Sequence, residues 1–350
     1  MGAAAVWRQA AADPVFALCA ALTLGVLFVN GWTDAPNAIA TVVTGRVMSV
    51  ERALAMAAVC NVLGAAAAAA ANAAVIRTVN TIVDFGTDSR PALTALSAAL
   101  CAVVVWAVAA WWFGIPTSES HALLAGLTGA ALALQGGLSA VNGGAWAKVL
   151  WGLALSVAVG FGLGWAVCRL LRALCRGRDR LALSRVFRAA QIGGGAAMAF
   201  CHGAQDGQKF MGILLLGMAL SMGEGGAAAL APPLWLVLLC AGVMGLGTAV
   251  GGRRIIRAVG MDMVRLEGYQ GFSADAAGAV SLLLSTAWGL PVSTTHAKTA
   301  AMLGAGAAVR PHAVDWRVAR DMALTWAFTF PGCGAVGYAM AQLFLCRAGA

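Results

Sequence analysis

The stretch Gly114-Ile115-Pro116-Thr117-Ser118-Glu119-Ser120-His121 returns later in the chain as Gly289-Leu290-Pro291-Val292-Ser293-Thr294-Thr295-His296. A second pair accompanies it, because Gly31-Trp32-Thr33-Asp34 recurs as Gly203-Ala204-Gln205-Asp206. The aspartate-to-histidine spacing is 87 residues in the first copy and 90 in the second. Both motifs therefore belong to one duplicated unit. The duplication divides the chain into a first half at residues 1–174, a basic linker at 175–189 and a second half at 190–350.

Around these motifs the chain is apolar. Of its 350 residues 61% are hydrophobic and only 11% charged, which lies outside the range of soluble domains. Stretches long enough to span a bilayer, roughly 20 residues each, begin near residues 15, 53, 91, 148, 190, 233, 272 and 321. Runs such as the alanines at 65–71 form helices and have no period of two, so a β-barrel is excluded. The first apolar stretch runs without a cleavage-type break into the polar cluster at residues 30–37 and reads as a retained span. Nine cysteines sit singly, most of them in apolar segments. They read as small packing residues and not as a metal site or disulfide framework. The expected fold class is an all-α polytopic membrane protein.

The net charge of +9 could indicate nucleic acid, but its placement argues against that partner. Suppose each half makes three full crossings and its Gly-Pro-Ser/Thr-His element is the tip of a re-entrant helical hairpin that enters and leaves on one side. The N-terminus is then outside, and the loops at residues 46–52, 169–188, 253–265 and 310–320 are cytoplasmic. These loops hold 16 of the 23 Lys and Arg, as the positive-inside rule requires. Three crossings are odd in number, so the second half is inverted. Inverted-topology repeats with broken helices are the architecture of many secondary transporters, with substrate near the midplane. Residues 36–50 and 209–222 are candidates for separate half-helices, which gives eight to twelve segments in all.

Ionisable side chains at membrane depth cost about 2.5 to 3.5 kcal/mol each on insertion scales. Asp34, Glu119, His121, His202, Asp206, Lys209, His296 and Lys298 nevertheless lie within or beside apolar segments, clustered on the repeated motifs. The Gly-x-x-Asp elements have the makings of a helix break. Gly31 and Pro36 flank Asp34, and Pro36 frees a carbonyl one turn earlier. Freed carbonyls beside the Asp34 carboxylate and the Asn37 amide suit a small hard cation or a proton relay. In the second copy Gly203, Gln205, Asp206 and Gln208 supply similar groups, and Lys209 stands where Asn37 would align. That lysine either contacts an anion or neutralises Asp206.

The Pro-x-Ser-x-Ser/Thr-His elements read as starts of short helices, because proline favours the first turn and Ser or Thr caps exposed amides. Unpaired amides and a positive dipole end form a site for a tetrahedral oxyanion. Two such starts, lined by Thr117, Ser118 and Ser120 and by Ser293, Thr294 and Thr295, would surround an anion with donors. Glu119 sits at one of them, where it either carries a proton or pairs with Lys209 or Lys298.

These residues carry a resemblance that covers nearly the whole chain. Asn30-Gly31-Trp32-Thr33-Asp34-Ala35-Pro36-Asn37-Ala38-Ile39-Ala40-Thr41 and His202-Gly203-Ala204-Gln205-Asp206-Gly207-Gln208-Lys209 resemble the two signatures of the inorganic phosphate transporter (Pit) family. The Pro-Val-Ser-Thr-Thr-His element ending at His296 is similar to the same family's. The resemblance implies a secondary active transporter in the cytoplasmic membrane that imports inorganic phosphate by proton or sodium symport, with bacterial members also carrying metal-phosphate complexes. It implies that Asp34, Asn37 and Asp206 are essential, sodium being one co-ion they would hold, and that the Ser/Thr elements with Gln208 and Lys209 contact phosphate. Gln205 and Glu119 join the cation-coupling set. A homodimer is implied as well, and no cofactor beyond the co-transported ion. Three departures stand out: Gln205 replaces the commoner Asn, Glu119 stands where Ser or Thr is usual, and the central loop near residues 175–189 is short.

Three rivals remain at this level. Sulfate or another tetrahedral oxyanion would meet the same helix-start amides. A passive anion channel would conduct without a cation gradient. An intramembrane enzyme acting on lipid phosphates would usually need one asymmetric set of acid, base and nucleophile, whereas here both halves repeat the same groups.

Overall fold

The computed structural model describes residues 2–115, 117–223, 232–257 and 263–348. Pro116, whose expected role is in a helix start, lies outside them. The first half contains α1 (Ala3–Ala12), α2 (Pro14–Thr33), α3 (Ala40–Thr44), α4 (Val50–Ala71), α5 (Ala74–Asn80), α6 (Ser89–Phe113), α7 (Glu119–Gln135) and α8 (Gly143–Leu174). The second contains α9 (Arg180–Ser221), α10 (Leu234–Val250), α11 (Arg253–Arg257), α12 (Gly268–Ala287), α13 (Thr294–Ala307) and α14 (Trp316–Ala348). Each of the eight apolar stretches read from the sequence coincides with one long helix.

Among the described residues, α2 together with α3, then α4, α6, α8 and α14, are long and apolar enough to cross a membrane. The apolar α10 is shorter, at 17 residues. Helices α9 and α12 have the length, but they carry buried polar groups, among them His202, Asp206, Lys209 and Asp275. Polar cargo lowers their hydropathy.

The helices pack in corresponding pairs. As α4 packs on α9, so α10 packs on α2; as α7 packs on α14, so α13 packs on α8. The pairs α2 with α6 and α9 with α12 correspond in the same way. Glycines allow the closest approaches on both sides of the α4–α9 and α2–α10 crossings. A Cβ on Gly64 would strike the Phe200 carbonyl, and one on Gly203 the Asn61 backbone; Gly31 and Gly247 meet the backbones of Met244 and Phe28 likewise. In a bilayer, helices associate through such close van der Waals packing, because lipid removes the hydrophobic drive between them.

Two hairpins, α6 with α7 and α12 with α13, each return to the side from which they start. Their open ends are tied by bridges, Val83 to Val141 and Val264 to Val314. The two tips turn on left-handed glycines, Gly114 at φ 69° and Gly289 at φ 68°, a conformation that costs other residues a steric clash. Near the first tip the Trp112 carbonyl accepts from Arg254 at 2.8 Å. At the second, Thr78 donates to the Gly289 carbonyl at 2.8 Å and Asn72 to that of Ala287.

The basic segments meet at one end of the molecule. Arg253 pairs with Glu51 at 3.0 Å, and Arg172, Arg176, Arg178 and Arg310 line one cavity there of about 570 Å³. Of the segment read as a linker, residues 180–189 already belong to α9.

One expectation fails. Residues 209–222 do not form a separate half-helix, because α9 runs for 42 residues from Arg180 to Ser221 without interruption. No proline stands near Asp206 to remove a donor, and Gly203 and Gly207 serve close packing against Asn61 and Ala65 instead. In the first half the break is real: α2 ends at Thr33, a 3-10 turn follows at Ala35–Ile39 with Pro36 in its first turn, and α3 resumes at Ala40.

Candidate functional site

Where α2 breaks, four segments converge: the break itself, the middle of α9, and the first turns of α7 and α13. Both helix starts are capped as the sequence suggests. The Ser118 hydroxyl accepts from the His121 amide at 3.3 Å, and the Ser293 hydroxyl from that of His296 at 3.2 Å. The amides of the first two residues in each helix have no intrahelical acceptor. They point with the helix dipoles toward the convergence. Behind them the rings of His121 and His296 meet edge to face with centroids 4.4 Å apart.

The two aspartates are held in matching ways. Asn37 donates to Asp34 Oδ1 at 2.8 Å and reaches Thr295 Oγ1 at 3.2 Å. Lys209 donates to Asp206 Oδ1 and to Ser120 Oγ, both at 2.6 Å. Residue three after each aspartate thus ties it to the opposite hairpin, and Ser120 and Thr295 are matching positions of the repeated motif. Thr295 also donates to Asp34. The Thr294 hydroxyl lies 3.3 Å from Asp34 Oδ2 and 3.4 Å from Asp206 Oδ2, which brings the two carboxylates to one centre.

Glu119 joins this centre through a hydrogen bond from the Thr33 hydroxyl. The alternative of an ion pair with a lysine fails, because Lys209 is engaged with Asp206 and Lys298 with Asp275. Glu119 Oε2 is buried without a hydrogen-bond partner among the described residues, as are Asn30 Oδ1 and Asn37 Oδ1. Asp34, Glu119 and Asp206 are only 2%, 2% and 0% exposed. The centre is acceptor-rich and closed.

His202, which the sequence places in the ionisable set without a binding or coupling role, belongs here. One of its ring nitrogens, a carboxylate oxygen of Asp34 and one of Asp206 all lie within 4.8 Å of one another. Asn61 donates its amide to Thr248 at 3.0 Å, so its oxygen accepts from His202 Nδ1 at 3.1 Å. In the neutral ring Nε2 then carries a lone pair, 3.4 Å from Asp206 Oδ2. Two acceptors facing each other suit a proton or a cation between them. Asn30, which donates to Asp206 at 3.2 Å, was visible inside the first signature but had no stated role.

Other expected residues stand at the edge. Gln205 is tied to the second hairpin tip, donating to the Leu290 carbonyl at 2.7 Å and accepting from Thr286 at 2.5 Å. Gln208 turns away and donates to the Asn72 carbonyl at the end of α4, at 2.7 Å. Thr117 is half-buried and stands outside the hydrogen-bonded cluster formed by the described residues. For Lys209, the geometry has it neutralising Asp206 while touching Ser120 and the Val292 carbonyl.

A multi-pass helical bundle, with two capped hairpins closing on buried carboxylates at a helix break, is the construction of a membrane transporter. Comparison with known proteins gives the family. The sequence model described as "Phosphate transporter family" matches residues 30–182 and 175–337. A "Probable low-affinity inorganic phosphate transporter" of Bacillus subtilis (strain 168) is 36% identical over 315 residues, which cover 89% of this chain and 92% of that one. A protein of the same description from Rhizobium meliloti (strain 1021) is 35% identical over 326 residues, 93% of this chain and 95% of its own. A solved structure described as "The sodium-dependent phosphate transporter" shares the fold, with a TM-score of 0.84 at 21% identity over 95% of this chain and 100% of that one. The chain belongs to the phosphate transporter family. It is a multi-pass protein of the cell membrane that transports inorganic phosphate, and it is a transporter and not an enzyme.

Proposed function

We propose that this transporter imports phosphate by symport with protons or sodium ions, through one site shared by two halves that lie opposite ways up in the membrane. The observation that carries the coupling is the charge of the closed centre. Asp34, Glu119 and Asp206 face a single ammonium, Lys209, which pairs with Asp206, so the other two carboxyl groups must each take up a proton or a cation before an anion can bind beside them. Phosphate entering a cytoplasm held at −100 mV also loses about 2.3 kcal/mol per negative charge. Cations taken up with the substrate offset both costs. The orphaned oxygens of Glu119, Asn30 and Asn37, with His202 and the two aspartates, are the groups that would receive them. The solved structure of similar fold bears a description that names sodium dependence, which favours sodium as one co-ion to test.

Phosphate itself is held by the amides and hydroxyls of the two hairpin starts, Ser118 and Ser120 with Ser293, Thr294 and Thr295, and by Lys209 once it swings from Asp206. Access alternates as one bundle moves against the other. The corresponding helix pairs and the hairpin tips, one tied to the basic end and the other to the end that carries Asn72 and Thr78, support the inverted arrangement. Labelling tests that arrangement. Cysteine in place of Leu138 should react from outside intact cells and cysteine in place of Arg178 only after permeabilisation; the reverse pattern would overturn the orientation. For the coupling, uptake of labelled phosphate into proteoliposomes under imposed sodium or proton gradients should be concentrative with at least one of them. Flux that ignores both gradients, or sulfate competing as well as phosphate, would overturn this reading.

A further inference from the structure

A second buried ionic group lies outside the phosphate centre. Lys298, on α13, donates to Asp275 of α12, and its Nζ also lies 3.3 Å from Thr41 Oγ1 and 3.4 Å from the Ala38 carbonyl. Thr41 donates to Asp275 Oδ1 at 2.7 Å, and Gln191 of α9 donates to the Thr41 carbonyl at 2.8 Å. Every one of these groups is buried, with Lys298 and Asp275 fully so. Asp275 Oδ2 and Gln191 Oε1 have no hydrogen-bond partner among the described residues. A Cβ on Gly194 would come within 3.5 Å of that free Asp275 oxygen, so a glycine leaves room beside it.

Two features make this more than a structural ion pair. The first is that the duplication does not repeat it. Lys298 and Asp275 stand 2 residues after and 21 before His296; the same steps from His121 lead to Leu123 and Leu100, both fully buried. The fold is thus built with apolar residues at the corresponding places. The second is the chemistry of what surrounds the ammonium: a carboxylate, a hydroxyl from α3 and a main-chain carbonyl from the 3-10 turn that follows the Asp34 break. All are oxygens, the donor set of a hard monovalent or divalent cation. A lysine ammonium is a compact point charge that can stand in such a cage.

We propose that the Lys298 ammonium is a tethered cation filling a monovalent-cation site whose oxygens come from Ala38, Thr41 and Asp275. Tethering keeps the site filled at any external salt. The segment that follows the helix break is therefore held against α12 and α13 without drawing a cation from solution. The consequence for the number of co-transported ions rests on the coupled-transport reading above; cation binding at this site does not.

The test uses the purified full-length protein in detergent, unfolded thermally in sodium chloride and in choline chloride of equal ionic strength. Three proteins are compared: the unsubstituted chain, Lys298→Met, and the double variant Asp275→Asn with Lys298→Met. The single variant should unfold several degrees lower in choline and regain most of that loss in sodium, a shift larger than in the unsubstituted chain. The double variant, lacking the carboxylate, should show only the unsubstituted chain's sodium response. In proteoliposomes driven by a proton gradient, phosphate uptake by Lys298→Met should rise with sodium by roughly tenfold, as expected when a ligand restores a depleted folded form. A sodium response in Lys298→Met no larger than in the unsubstituted chain would overturn the proposal. So would failure of Lys298→Met to fold even in high sodium while the double variant folds, since the lysine would then be only a counter-charge. Absence of phosphate uptake by the unsubstituted chain would instead overturn the coupled-transport reading and leave the thermal result standing.

Discussion

The two aspartates occupy matching places, yet their surroundings differ in one respect that separates their tasks. Asp34 lies at a real helix break and is held by neutral donors, the Asn37 amide and the Thr294 and Thr295 hydroxyls. Asp206 lies in an unbroken helix and is held by a lysine, at the same three-residue offset. A carboxylate with a resident ammonium has its charge compensated in the closed centre before any mobile cation arrives. One held only by neutral groups depends on a mobile cation for the same compensation. The duplication supplies two matching carboxylates, and on the proposed reading the exchange of Asn37 for Lys209 makes Asp34 the one more dependent on a mobile cation.

Removing the lysine should have the largest effect. Lys209→Met leaves Asp206 uncompensated and takes away the cation nearest the Ser120 helix start, so phosphate uptake should fall by about a hundredfold or more. Uptake within a few-fold of the unsubstituted chain would mean that the second half does not need its ammonium, and the contrast between the halves would dissolve. Glu119→Gln should act less severely. It keeps the acceptor for Thr33 and removes one charge with no lysine partner, so phosphate affinity should persist while the pH dependence of uptake flattens. An unchanged pH profile with normal activity would rule out a proton on Glu119. Smallest is Gly203→Ala, which tests why the second half has no break. The added methyl meets the Asn61 backbone and should destabilise the α4–α9 crossing by about 1–3 kcal/mol, read as a lower melting temperature. A neutral result would return Gly203 to the role of a helix breaker.

Much of this contrast could be read before the structure, but unevenly. The helix starts at α7 and α13 are legible because Ser or Thr in the repeated element is a local capping signal, although Pro291 stands two residues before the cap Ser293 and not in the first turn. The break at Asp34 was legible because proline acts on its own helix. The continuity of α9 was not, since Gly203 and Gly207 read the same whether they break a helix or admit a neighbour against it. The outward turn of Gln208 and the place of His202 depend on which face of α9 meets α4, which is a tertiary fact. Asp275 was the clearest miss. A lone aspartate in an apolar stretch is itself a signal, but it lies outside the duplicated motifs, so internal repetition does not mark it.

The coupling assignment is tested most directly by comparing Asp34→Asn with Asp206→Asn in two assays on the same proteoliposomes, exchange of phosphate at equal concentrations and accumulation driven by a cation gradient. Asp34→Asn should retain exchange and lose accumulation, because binding persists while the mobile cation has no carboxylate to meet. Asp206→Asn should lose both, because Lys209 is left without its buried partner at the phosphate site. Normal accumulation by Asp34→Asn, or the same defect in both variants, would contradict the division of labour between the two aspartates.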